Sequence, residues 1–284
     1  MRFHRARLTT GGPAAACVTL CLAFLAACGG DDEGGGGTAS ATPPTASQPG
    51  SPGAATSPSA SPRGGRPLAG KVVVIDPGHN GGNATHTAEI NRQVNVGNGH
   101  KECDTTGTAT NAGYDESAFT LDVSKRLRDI LVAQGATVKM TRQDNKGWGP
   151  CVNQRAAIGN QARADAAISI HGDGAAASGH GFHIIEPAPV AGHNTAIVGP
   201  SAKLARALRD AYRQGTGIPY ANYIADQGID RRGDLGGLNL STVPKVFIEC
   251  GNMRNAGDAA KMTSAAFRQR MAEALAKGFD AYLR

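Results

Sequence analysis

Four residues stand where side chains could meet and do chemistry. The run Val72-Val73-Val74-Ile75-Asp76-Pro77-Gly78 leads into His79, Ala166-Ala167-Ile168-Ser169-Ile170 into His171, and Lys245-Val246-Phe247-Ile248 into Glu249. Each apolar, β-branched run reads as a buried strand. In open α/β sheets ligands bind beyond the carboxyl ends of the strands, so three strands can deliver three polar side chains to one place. Glu116 opens a helical pattern and can approach the same edge. Two imidazoles with carboxylates are the donor set of a zinc site.

The elements that must position these residues can be read from periodicity. Phe119, Val123, Leu127, Ile130 and Leu131 recur at helical spacing after Glu116, up to Gly135. A strand follows over 136–141, ending near Arg142 and Asp144, then a helix over 152–163 leading to the strand before His171. Residues 179–186 read as another strand, 202–214 as a helix and 265–283 as a last helix with Phe267, Met271, Leu275 and Phe279 four apart. Strands alternating with helices predict an α/β fold, a mostly parallel mixed sheet with helices on both faces, as one domain over 67–284. Between the first strand and Glu116, residues 81–113 are polar and aperiodic; so long a loop carries a function or a short hairpin of its own.

Spacing alone is weak evidence, because no short motif such as His-Glu-x-x-His is present. A lone strand-end histidine is commonly a hydrogen-bonded structural residue; two of them with two carboxylates leave the structural and metal-binding readings side by side. Asp76 either orients a ligand imidazole or caps the turn after its strand. His86, His100, His180, His183 and His193 lack strand-end placement and read as solvent-facing or locally hydrogen-bonded. Residues 78–82 lack the Gly-Lys-Ser/Thr of a phosphate loop. None of the cysteines sits in a nucleophile motif; Cys103 and Cys151 lie in Gly- and Asn-rich loops where pairing fits an oxidising compartment, and Cys250 reads as a small buried hydrophobe.

The N-terminus explains that compartment. Arg2, Arg5 and Arg7 precede an apolar stretch over 14–27 that is too short to span a bilayer comfortably, ending in Leu25-Ala26-Ala27-Cys28-Gly29. Residues 1–28 therefore read as a secretory signal with a lipobox, in which Cys28 would carry a membrane anchor; cleavage near Ala27 with Cys28 incidental is the plainer alternative. Residues 29–66 are almost wholly Gly, Ser, Thr, Ala and Pro, the composition of a disordered linker. Loss of the leader's arginines lowers the formal charge from +6 to about +3. That excess suits an anionic surface such as a cell wall and gives no sign of nucleic-acid binding.

Taken together, Asp76-Pro77-Gly78-His79, Glu116 opening a helix, Thr141-Arg142-x-Asp144, Arg155 with Asn160, Ser169-Ile170-His171, and Pro244-x-Val246-x-Ile248-Glu249 before Gly251-Asn252 resemble the zinc-dependent N-acetylmuramoyl-L-alanine amidases of the Amidase_3 type. The resemblance runs in order through nearly all of residues 71–284. It implies one Zn2+ held by His79, Glu116 and His171, with Glu249 as catalytic base. It also implies peptidoglycan or muropeptides as substrate and the lactyl–L-Ala amide as the bond cut. A zinc peptidase acting elsewhere in the stem peptide, or a non-catalytic wall-binding or activator protein on the same fold, are the alternatives. Two departures are visible: Ser117 stands where the family usually has Lys, and His171-Gly172-Asp173-Gly174 replaces His-Ala-Asp/Asn-Ala.

Overall fold

The computed structural model describes residues 66–284. Strand β1 (Val72–Pro77) is the hub of the expected apolar runs, pairing in parallel with β4 (Thr137–Met140) on one side and β5 (Ala166–Asp173) on the other. Strand β8 (Lys245–Asn252) continues the parallel set beside β5. Two further strands, β6 (His183–Pro187) and β7 (Ile229–Arg232), complete the sheet in the order β4-β1-β5-β8-β6-β7, with β6 antiparallel to β8. The sheet is therefore mixed and mostly parallel, as the alternation of patterns predicts.

Strand alternation decides what each face holds. Val73, Ile75, Ile168, Ile170, Val246 and Ile248 point to one side and join a single large core with α2 (Glu116–Ala133), α4 (Thr195–Thr216) and α7 (Ala265–Leu283). Their neighbours in sequence point to the other side, where a small apolar cluster of Val74, Ala164, Ala167 and Val243 lies beneath α3 (Val152–Gln161) and the rest of the face is mostly polar, with Phe247 and Ile185 the apolar exceptions. The polar face is where the site forms.

Helix α7 runs over the predicted residues, while α4 begins seven residues before the expected start at 202 and carries Pro200 inside it. The 81–113 segment contains a short helix α1 (Thr87–Ile90) and an antiparallel hairpin of β2 (Gln93–Asn95) and β3 (His100–Glu102). A disulfide joins Cys103 to Cys151, and Cys250 is buried and free. Three short elements had no expectation behind them, β7, α5 (Gly236–Asn239) and α6 (Ala256–Thr263). Among the described residues no helix is long and apolar enough to cross a membrane. The leader, Cys28 and residues 29–65 of the linker lie outside the described residues.

Candidate metal centre

One row of residues crosses the polar face. His171 on β5 is in register with Glu249 on β8, and Glu249 with His183 on β6; on the other side Gly78 donates its N–H to Ile170 O at 2.9 Å, beside His171. Residues opposed in this way project side chains to the same face about 5 Å apart. Both His171 and Glu249 lie within their strands, which run two or three residues further, rather than at the very ends.

Gly78 makes room in that row. A Cβ there would fall inside the His171 ring, so only glycine lets the imidazole lean across the end of β1. Phe247, two residues before Glu249 on the same face, stacks on His171 with centroids 5.3 Å apart and an interplanar angle of 2°. His171 Nε2 is 3.1 Å from Ser169 Oγ, and that hydroxyl donates to Asp76 Oδ2 at 3.0 Å. With Nε2 engaged, Nδ1 is free to face Glu116 Oε1 at 3.0 Å.

Asp76 thus takes the first of its two expected roles: it orients an imidazole, through Ser169. Its carboxylate also accepts from Thr141 Oγ1, Arg155 Nη1 and Lys245 Nζ. Burial alone would raise its pKa, but Lys245 and Arg155 hold it well below the ordinary carboxylate range.

His79 follows the turn, not the strand. Its backbone is left-handed (φ 56°), a conformation that costs a non-glycine residue energy and aims the ring away from the strand direction. Arg142 and Arg155 hold this turn by donating to the carbonyls of Pro77, Gly78 and His79. The ring's Nδ1 sits 3.0 Å from Thr105 O and 3.2 Å from Asp104 Oδ1, leaving Nε2 3.3 Å from Glu116 Oε1. Asp104 is itself held by Arg155 Nη2 at 3.1 Å. The disulfide ties Cys103, next to Asp104, to Cys151 at the start of the helix that carries Arg155.

Glu116 is fixed by backbone. Its N–H donates to Thr108 O while Thr108 N–H donates to its Oε2, both at 2.9 Å, and Gly172 N–H donates to Oε1 at 3.1 Å. The two glycines that depart from the family pattern have packing reasons. A Cβ on Gly172 would press on Met262 and Met253, and one on Gly174 on Thr108. Ser117 is buried, its carbonyl accepting from Arg142 and its hydroxyl from Asn145.

Donor atoms of His79, Glu116 and His171 all lie within 4.8 Å of one another. Each imidazole has one nitrogen engaged by protein and the other turned to the shared carboxylate, the outer-shell arrangement that orients metal-ligating histidines. The field also fits a cation. Burial works to lower the His79 pKa, yet Glu116 and Asp104 push it up to about 10. Burial works to raise that of Glu116, yet His79 and His171 hold it well below the ordinary range.

Glu249 lies beside the triad without joining it. Its Oε2 is buried with no hydrogen-bond partner among the described residues, and burial, followed by Glu116 and Asp173, pushes the carboxyl well above the ordinary range. Positive charge at the triad would act in the opposite sense and favour the ionised carboxylate. A cavity of about 240 Å³ adjoins the site between the sheet and the β2–β3 hairpin, lined by His79, Asp104, His171, Phe247 and Gly237 among others.

All four expected site residues are therefore brought together. The expectation for His183 is corrected: it is buried, its Nδ1 has no partner among the described residues, and it neighbours Glu249 across β6 and β8. Nothing local in the sequence signals this, because it depends on a long-range antiparallel pairing. Burial holds its pKa below the ordinary range, against Asp173 and Asp230. Ser169 had a legible signal, lying two residues before His171 and so on the same strand face. Asp104 had none, since its placement follows from the fold of the 81–113 segment.

The N-acetylmuramoyl-L-alanine amidase family, Amidase_3, matches residues 73–281. The N-acetylmuramoyl-L-alanine amidase Rv3717 of Mycobacterium tuberculosis is 46% identical over 217 residues, covering 76% of this chain and 88% of that protein. The crystal structure of the amidase Ami1 from Mycobacterium smegmatis superposes with a TM-score of 0.72 at 44% identity, covering 76% of this chain and 98% of the other. AmiC2 of Nostoc punctiforme, 23% identical with a TM-score of 0.58 over 76% of this chain and 98% of its own, shares the fold.

Proposed function

The chain belongs to the N-acetylmuramoyl-L-alanine amidase family and is an amidase of peptidoglycan, and on that premise we propose a zinc-dependent hydrolase with His79, Glu116 and His171 as ligands and Glu249 as general base. The bond cut is the amide between the lactyl group of N-acetylmuramic acid and L-Ala of the stem peptide. One observation carries the metal assignment: three donor atoms lie within 4.8 Å, and the outer nitrogen of each imidazole is already engaged. Three protein ligands of two N and one O leave a coordination position open, as hydrolytic zinc sites do.

Zinc held there would supply Lewis-acid polarisation of the scissile carbonyl and a reactive water at neutral pH. The rest is done by the chain. Thr105 O and Asp104 fix His79 from behind, and Ser169, backed by Asp76, fixes His171. Phe247 covers one face of the His171 ring and keeps water from it. The Glu249 carboxylate, next to His171 in the row, accepts the proton of the attacking water and returns it to the departing L-Ala nitrogen.

Mass spectrometry of products from a defined muropeptide tests the bond assignment. Release of the intact stem peptide with a free L-Ala amine supports it; cleavage between two stem amino acids would make the chain a peptidase instead. Metal analysis of the purified chain tests zinc, at about one per chain.

We also propose that residues 1–28 direct export, that Cys28 is lipidated and that residues 29–66 tether the catalytic domain, 67–284, at the membrane's outer face. The Leu25-Ala26-Ala27-Cys28 sequence and the linker composition support this. A lipidated cysteine carries two or more acyl chains, enough for firm anchoring. Cys28→Ala should then release the protein from the membrane fraction or block its processing; wild-type protein found wholly in the medium would refute anchoring.

A further inference from the structure

Two buried polar atoms on directly paired residues lack a partner among the described residues, and they complement each other. His183 Nδ1 and Glu249 Oε2 are both sealed from solvent without a hydrogen bond. Their residues oppose each other across the antiparallel β6–β8 pair, on the polar face of the sheet. Opposed residues of this kind have Cβ atoms roughly 5 Å apart; the two atoms are not in direct hydrogen-bond contact, and their separation is one that a single buried water spans. An unpaired buried donor or acceptor is costly, so two of them side by side call for an account.

The His183 ring is held as a positioned group would be. It meets the Tyr223 ring edge-on, with centroids 6.3 Å apart and an interplanar angle of 88°. Tyr223 is anchored in turn by its hydroxyl, which donates to Asp173 Oδ2 at 2.9 Å, and by Gly179, where a Cβ would strike the ring. Asp173 lies two residues past His171 on β5, so the support of His183 runs back to a strand that carries the site. The loop bearing Tyr223 keeps Ala225 and Gln227 in left-handed backbone (φ 74° and 46°), strain of the kind retained at functional sites.

We infer that His183 is a positioning residue for Glu249: its Nδ1–H donates through one buried water to Oε2, and this sets the direction in which the other carboxylate oxygen faces the attacking water. His183 touches neither substrate nor metal. The inference rests on Glu249 being the base. It explains why a buried histidine occupies a strand position that apolar side chains fill on the opposite face, as Ile184 and Ile248 do.

The test uses the full-length, zinc-loaded chain and a soluble N-acetylmuramoyl-peptide, with His183 replaced by Asn, Gln or Leu and with Glu249→Gln as reference. An Asn side-chain amide stands near the Nδ1 position, whereas a Gln amide stands near Nε2. Loss of a hydrogen bond to a charged group should lower kcat on the order of 10- to 100-fold in His183→Leu and His183→Gln, with KM within about twofold of wild type and zinc content unchanged. His183→Asn should recover most of kcat. In the Glu249→Gln background, His183→Leu should add no further loss, because the two act as one unit. Wild-type kcat in a folded His183→Leu or His183→Gln, or equal loss in Asn and Gln, would overturn the inference. If Leu does not fold, the Asn and Gln pair decides. Wild-type rate in Glu249→Gln would instead sink the base assignment.

Discussion

Reducing the Cys103–Cys151 bridge should both destabilise the domain and weaken the metal site. The cysteines are 48 residues apart, and the loop they close carries Asp104 and Glu116. In the chain-entropy account, cross-linking a loop of that length removes about 4 kcal/mol of unfolded-state freedom. For a domain of this size each kcal/mol moves Tm by roughly 2–4 °C, so the bridge should be worth on the order of 10 °C. The local effect follows from neighbours. Cys103 precedes Asp104, which supports His79 Nδ1, and Cys151 opens the helix bearing Arg155, which holds both Asp104 and the His79 carbonyl. Cys103→Ser with Cys151→Ser should therefore lower Tm by that amount in scanning calorimetry and weaken zinc binding in competition with a chelator. A Tm within 2 °C of wild type, or two alkylatable thiols at these positions in the unreduced exported protein, would refute the reasoning.

Ser169→Ala removes the group that engages His171 Nε2 and should reduce zinc affinity about 10- to 100-fold by chelator competition, with little change in Tm; unchanged affinity would mean the Ser169–Asp76 support does not orient the ring. Asp76 should make the fold acid-sensitive. Its folded pKa lies below the unfolded value near 3.8, so its contribution is complete above about pH 4 and falls away below that by about 1.4 kcal/mol per pH unit until the folded pKa is reached. Asp76→Asn should lose this slope in urea titrations between pH 5 and pH 3, and should cost about 3–5 kcal/mol at neutral pH because Arg155 and Lys245 stay buried without their counter-charge. A variant that kept the wild-type slope would show that Asp76 is not its source.

Much of the site was legible because its residues follow elements with strong local signals. The apolar runs before His79, His171 and Glu249, and the four-residue spacing behind Glu116 and through α7, reflect burial on one sheet face or one helix stripe, which sequence periodicity records directly. The unread parts depend on tertiary placement. Helix α4 was expected to start after Gly199-Pro200, but Ile197 is buried and the helix begins at Thr195, packing overriding the local breaker. Strand β7, with its Asp230, Arg231 and Arg232, has no apolar alternation because it is an edge strand. His183 looked like an ordinary strand histidine because its meaning lies in Glu249 opposite it, 66 residues later in the chain.

The central claim is that three residues hold the metal while a fourth, Glu249, moves the proton. Metal content and amidase rate measured together on Glu249→Gln and Glu116→Gln test it most directly. Glu249→Gln keeps size and polarity but cannot take a proton. It should retain about one zinc per chain while losing at least ~100-fold in rate, and Glu116→Gln should lose the metal and the activity together. Loss of zinc in Glu249→Gln with zinc retained in Glu116→Gln would mean the two glutamates' roles are exchanged, and near wild-type hydrolysis by Glu249→Gln would remove that residue from the mechanism.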